Sequence, residues 1–220
     1  MDYRTEEEQV EALKRWWQEN GKSVLIGIGL ALALIYGWKA WQAHQRQVSE
    51  TVSTIYFNLV DAVQVAQENN ESASQATVNH LVDKLKAEHA DSTYALYASL
   101  LAAKQAVAQN NLDEAGKHLQ WVVDRSEPES SLNLIARLRL ARVKFAQGNT
   151  DQALVLTESV QAGAYTAVYQ EFLGDLYLDQ GRIEEARSAY RNALAETEKV
   201  GTNNPLLTIK LNDLAQDGER

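Results

Sequence analysis

Four histidines, His44, His80, His89 and His118, are the side chains best suited to metal ligation or proton transfer near neutral pH. Their spacing serves neither purpose. No two form an HExxH or H-x3-H pair, and there is no cysteine to complete a zinc site. Gly27-Ile28-Gly29 lacks the third glycine of a nucleotide loop, follows no strand signal and lies inside an apolar run. The acid pairs Glu6–Glu8, Asp113-Glu114 and Glu184-Glu185 stand where helices begin. There they read as charges favoured by the positive end of the helix dipole, not as acid–base dyads. Other acidic groupings lack the spacing of a calcium loop. These residues predict no enzyme, no metal and no cofactor, and leave binding through surfaces as the chemistry available.

The elements that would carry such surfaces are helical. The 220 residues include 11 glycines and only two prolines, Pro128 and Pro205, with 45% hydrophobic residues. That composition suits a packed, mostly helical chain of one or two domains. Without cysteine there are no disulfides, which by itself leaves the compartment open. The net charge of −9, without a basic cluster, argues against nucleic-acid binding.

Residues 2–22 are polar and charged, and Ser23–Trp38 (SVLIGIGLALALIYGW) then runs without a charge between Lys22 and Lys39. Four of the five tryptophans, Trp16, Trp17, Trp38 and Trp41, edge this run. From Trp17 to Trp38 a helix would rise about 31 Å, close to the hydrocarbon thickness of a bilayer. Rings at both ends form an aromatic belt, and the flanking lysines can snorkel. The alternatives are a buried core helix and a signal peptide; the latter fits less well, because the preceding segment is long and rich in glutamate and no small-x-small site follows. The expected division is a cytoplasmic segment, 1–22, a single transmembrane helix, 23–41, and a periplasmic domain, 42–220. Orientation follows from basic residues: Arg4, Lys14, Arg15 and Lys22 precede the span, and only Lys39 and Arg46 follow it before Lys84. Val10, Leu13, Trp16 and Trp17 share a helical face, which suits either an interfacial helix or an extension of the span. Gly29, Ala33 and Gly37 form a small-residue stripe at which a membrane partner could pack closely.

After residue 42 apolar positions recur every three or four residues, interrupted by polar breaks at 67–72, 89–92, 109–111, 126–131, 147–150, 161–163 and 179–181. Three turn-plus-helix openings align: NNLDEA at 110–115, GNTDQA at 148–153 and GRIEEA at 181–186. Their alanines, Ala115, Ala153 and Ala186, recur near the tetratricopeptide period. In the last unit, small residues at Gly174 and Ala186 predict close helix approach, with Tyr177 and Tyr190 filling the gap to the neighbouring hairpin. The segment after Pro205 is expected to cap the stack. The fold class is therefore all-α: one transmembrane helix followed by a tetratricopeptide-like solenoid of helical hairpins.

The first helix of each hairpin lines the concave face of such a solenoid. In frame with Gly174, the candidate protein-binding groove consists of Tyr97, Leu100, Lys104 and Val107, then Ile135, Leu138, Arg142 and Phe145, then Val168, Glu171, Asp175 and Leu178. Tyr97, Leu138 and Phe145 are the expected anchors, since aromatic and large apolar residues dominate interface energies. The acidic surroundings predict a preference for basic or neutral segments.

The opening of the chain carries Q-V-E-A-x-K-R at 9–15, E-N-G-K at 19–22 and G-W-x-x-W-x-x-H from Gly37 to His44. Together with LRLARV at 138–143 and EARSAY at 185–190, it resembles the YfgM family, ancillary subunits of the SecYEG translocon. The resemblance runs the length of the chain. It implies a single-span inner-membrane protein with a periplasmic tetratricopeptide-like domain, associated with SecYEG and with the membrane-anchored chaperone PpiD. It also implies a non-enzymatic role in helping translocated proteins reach periplasmic chaperones, and no small-molecule substrate. Alternatives are a regulator of an envelope stress response of the Rcs type and a structural envelope scaffold.

Overall fold

The computed structural model describes residues 6–69 and 72–217. Arg4, which contributes to the expected orientation, and Asn70 and Glu71, within the first expected break, lie outside the described residues. Among those described there is no strand. The helices are α1 (Glu6–Asn69), α2 (Ser72–Glu88), α3 (Thr93–Ala108), α4 (Leu112–Arg125) and α5 (Ser131–Ala146). They continue with α6 (Thr150–Thr157), a 3-10 turn (Gly163–Tyr165), α7 (Thr166–Asp179), α8 (Ile183–Lys199) and α9 (Pro205–Asp217). Packing divides the chain into two units between Ser53 and Thr54. The expected limits at residues 22 and 41 rest instead on hydropathy and charge.

The first unit is helix throughout its described part. No break separates the Val10–Trp17 face from the apolar run, so that face continues the span as one helix. Nothing in the unit covers it: Leu25, Ile26, Leu30, Leu34 and Ile35 are all more than half exposed. One helix here is long and apolar enough to cross a membrane, and none of its apolar window is buried. Trp16 and Trp17 pair at one edge, ring centroids 6.5 Å apart, and Trp38 and Trp41 at the other, 5.1 Å apart. A Cβ added at Gly29 or Gly37 would meet nothing, so the small-residue stripe is open.

The second unit is a stack. Each helix from α2 onward packs on the next in sequence, the nearest-neighbour arrangement of a solenoid. Its three aligned turns share one construction. Asn110, Gly148 and Gly181 take left-handed conformations, φ 58°, 79° and 72°, at the position where a helix stops and glycine costs least. The next amide closes each turn: Asn111 N–H to the Ala106 carbonyl at 2.8 Å, Asn149 N–H to Lys144 at 2.9 Å, and Arg182 N–H to Tyr177 at 2.8 Å. Asp113 and Glu114 then sit in the first turn of α4, and Glu184 and Glu185 in that of α8, where the helix dipole favours them.

The α7–α8 hairpin shows why its small residues are needed. Gly174 and Ala186 are buried, and a Cβ at residue 174 would run into the Tyr190 ring. Tyr190 therefore fills its own hairpin and also packs against Leu207 and Leu214 of the neighbouring α9, and its hydroxyl donates to Asp175 at 2.7 Å. Tyr177 does face the preceding hairpin, donating to Glu158 at 3.1 Å. The middle hairpin departs from the pattern at Thr157, whose buried hydroxyl donates to the Ala153 carbonyl at 2.8 Å, and α6 ends there. Helix α9 buries Leu207 and Leu214 against Ala186, Tyr190 and Ala193, so the stack is capped.

Candidate functional site

The expected groove positions divide into three settings. On α3, Leu100, Lys104 and Val107 line one cleft of 320 Å³ together with Arg142 of α5. Its floor is core, the buried Ala103, Leu119 and Val143. Leu112 and Leu100 wall it, and Lys104, Val107, Arg139, Arg142 and Ala146 form an exposed rim. Arg139, Ala146 and Leu112 fall outside the frame that the repeat alignment suggested. The available signal was the i,i+3 spacing of Arg139 and Arg142, which puts both guanidinium groups on one side of α5.

Tyr97 stands in a second setting. Its ring lies 6.3 Å from Tyr56 of α1, which also meets Tyr94 at 5.3 Å and Phe57 at 6.2 Å. Tyr97 is 44% exposed and Phe57 62%, so part of this aromatic cluster faces solvent. Burial, and then the neighbouring Tyr97 and Tyr94 phenols, push the Tyr56 hydroxyl up. Tyr56 and Phe57 precede the three aligned repeat openings and fall outside the expected groove.

The remaining positions are less accessible than expected or stand apart. Leu138 is a correction. It is 7% exposed and packs in the core with Leu134, Leu154 and Phe172, so it is not available as a surface anchor. Phe145 is half-buried on the same core, edge-on to Phe172 at 6.0 Å, and Ile135 is half-buried. Val168 and Leu178 of α7 are partly exposed but line neither the cleft nor the aromatic cluster. Glu171 and Asp175 are engaged by the cap, since Lys210 of α9 reaches them at 3.0 and 2.6 Å. Burial pulls the Lys210 ammonium down, but hydrogen bonds to Asp175 and Glu171 outweigh it and hold the group above the ordinary lysine range.

Two polar devices were not foreseen. The glutamine before each left-handed turn residue reaches back to the first turn of the preceding hairpin's second helix. Gln109 donates to Gln75 at 2.8 Å, Gln147 to Asp113 at 2.7 Å and Gln180 to Asp151 at 2.9 Å. The recurring Q-[NG]-[NR] was visible, but its partners depend on how hairpins stack. Across the 126–131 loop, buried Asn133 of α5 donates to the Val123 carbonyl at 3.0 Å and to Ser126 at 3.1 Å. Among the histidines, His118 is mostly enclosed with its Nδ1 unpartnered, and Nε2 lies 3.5 Å from Glu114. Burial, then Lys86, hold its pKa below the ordinary histidine range. No cluster of His, Asp and Glu among the described residues is placed to hold a metal.

Residues 14–216 match the family described as tetratricopeptide repeat-like domain. The chain is 30% identical over 213 residues to an Escherichia coli (strain K12) protein named ancillary SecYEG translocon subunit, covering 97% of this chain and 98% of that one. Relatives of the same name come from Aggregatibacter actinomycetemcomitans, 33% identical over 97% of this chain and 100% of that one, and Haemophilus influenzae, 29% identical with the same coverage. A crystal structure of a Podosopora anserina protein with nearly identical TPR-like repeats superposes with a TM-score of 0.63 at 20% identity, over 77% of this chain and 89% of that one. That likeness bears on the fold alone. Left-handed turns at the repeat period, a capped stack of hairpins, an uncovered apolar helix and relatives matched over almost their whole length lead to one assignment: the chain belongs to the family of ancillary SecYEG translocon subunits, built on a tetratricopeptide repeat-like domain.

Proposed function

We propose that this chain is a non-enzymatic inner-membrane protein that associates with the SecYEG translocon and binds protein partners through its helical repeats. The observation that carries this reading is the match over 97% of the chain to relatives named for that role. The uncovered apolar residues of 23–41 support a single membrane span, since such a surface is stable in lipid and costly in water. The excess of basic residues before the span supports a cytoplasmic segment, 1–22, and a periplasmic domain, 42–220. In this reading the domain engages the membrane-anchored chaperone PpiD and helps newly translocated proteins pass to periplasmic chaperones. The partly exposed α3 face, Tyr97, Leu100, Lys104 and Val107, together with Arg142 of α5, supports this reading as a contiguous open part of the expected groove.

Crosslinking followed by purification of the full chain in mild detergent tests the association. Translocon subunits should be recovered with it. Recovery of division or cell-wall proteins in their place would overturn the reading. For orientation, a reporter active only in the periplasm should be active when fused after Arg220. Activity of a cytoplasm-only reporter at that point would reverse the topology.

A further inference from the structure

The α3–α4–α5 cleft combines an apolar interior with a cationic rim. The interior is formed by Leu100, Ala103, Leu112, Leu119 and Val143, and the rim carries Lys104, Arg139 and Arg142. No aspartate or glutamate lines it, although acidic residues outnumber basic ones 30 to 21 in the chain. Arg142 stacks over the Phe172 ring at 5.6 Å, and none of the three cations has a carboxylate partner among the described residues. A surface rich in carboxylates that gathers three unpaired cations around one apolar hollow is complementary to an apolar group flanked by negative charge.

We infer that this cleft binds an extended acidic segment of a partner protein, seating one large aliphatic or aromatic side chain on Leu119 and Val143 while Lys104, Arg139 and Arg142 take up flanking carboxylates. This deepens the reading that the repeats bind protein, and rests on it. It replaces the preference for basic or neutral segments, because an incoming chain feels the rim it touches more than net charge screened over about 10 Å. Arginine suits the role, since its planar fork meets a carboxylate with two parallel hydrogen bonds. The volume of 320 Å³ lies at the small end of ligand clefts and is enough for a side chain.

The test uses the full chain in detergent and labelled nine-residue peptides read by fluorescence anisotropy. One peptide carries a central Leu-Phe flanked by aspartates and glutamates. In the others lysines, or asparagines and glutamines, replace the acids, or serines replace Leu-Phe. Palmitate is the lipid probe. The acidic Leu-Phe peptide should bind at least tenfold more tightly than the lysine peptide, and both the acids and the Leu-Phe pair should be required. R139Q/R142Q should weaken it about tenfold and flatten its salt dependence. A146W, which fills the rim from an exposed position, should abolish it while the melting temperature holds. Equal binding of acidic and basic peptides, indifference to R139Q/R142Q, or palmitate binding in place of peptide would each overturn the inference. If no peptide binds while crosslinking still recovers the translocon, the cleft assignment fails and the broader function stands. Loss of both would remove the two together.

Discussion

Leu30 and Leu119 are the same residue type in the same secondary structure, and the two units of this protein treat them oppositely. Leu30 is 62% exposed on a helix with no protein around it, whereas Leu119 is 2% exposed between α3, α4 and α5. The glycines divide in the same way. Gly29 has open space where its Cβ would be, and Gly174 has the Tyr190 ring. In the repeat unit an apolar stripe on one face of each helix is satisfied by its neighbour, and the polar remainder meets water. In the first unit the apolar residues run all round the helix, a surface that suits lipid and not water. Helix propensity alone therefore says little here, and the angular distribution of apolar residues decides what each helix is for.

The contrast is broken most directly at the glycines. G174V should drive a branched side chain into the Tyr190 ring and destabilise the repeat unit by about 3 kcal/mol, lowering the melting temperature of the full chain by roughly 6–12 °C. G29V should leave that melting temperature unchanged. Equal melting of G174V and wild type would mean that Tyr190 does not sit over α7. Comparable in size is L30R, which should cost about 2.5–3.5 kcal/mol of membrane insertion. It should shift the protein out of the membrane fraction while leaving the repeat transition in place. If the membrane fraction holds, residues 23–41 are not the span.

Smaller effects sharpen the account of the repeat unit. Y190F keeps the ring over Gly174 but removes the hydroxyl that donates to Asp175. The expected loss is about 1–2 kcal/mol in denaturant unfolding, well below that of G174V. A loss as large as that of G174V would mean the hydrogen bond, not ring packing, holds the hairpin. The smallest effect is pH-dependent. His118 is enclosed beside Lys86 and Lys117, with Glu114 and Asp83 opposing them, and its folded pKa lies below the unfolded value. Stability from its neutral form is therefore complete above about pH 6.5. It declines as the pH falls, because the unfolded chain takes up the proton first. H118Q should flatten this acid limb of the melting curve. An unchanged limb would assign the acid sensitivity to the carboxylates.

Much of the fold was legible because its signals are local. The left-handed turn residues Asn110, Gly148 and Gly181, and the acid pairs that follow two of them, act within one helical turn, so their spacing exposes hairpins and period. The apolar run needs only its own length and flanks. The candidate site was less legible. An error of one residue in the repeat frame rotates a side chain by about 100° around its helix, enough to separate Leu138 in the core from Arg139 on the cleft rim.

By itself, then, the sequence determined which segments are helical, where the hairpins turn and which helix is uniformly apolar, since each depends on neighbours within a few residues. Only the tertiary structure decided that Tyr190 closes on Gly174, that Lys210 covers Glu171 and Asp175, and that Lys104, Arg139 and Arg142 surround one hollow. Each of these joins side chains from different helices, or from opposite arms of one hairpin. Their meeting depends on the rotation and crossing of whole helices, quantities set by the sum of many weak packing contacts and written in no single stretch of chain.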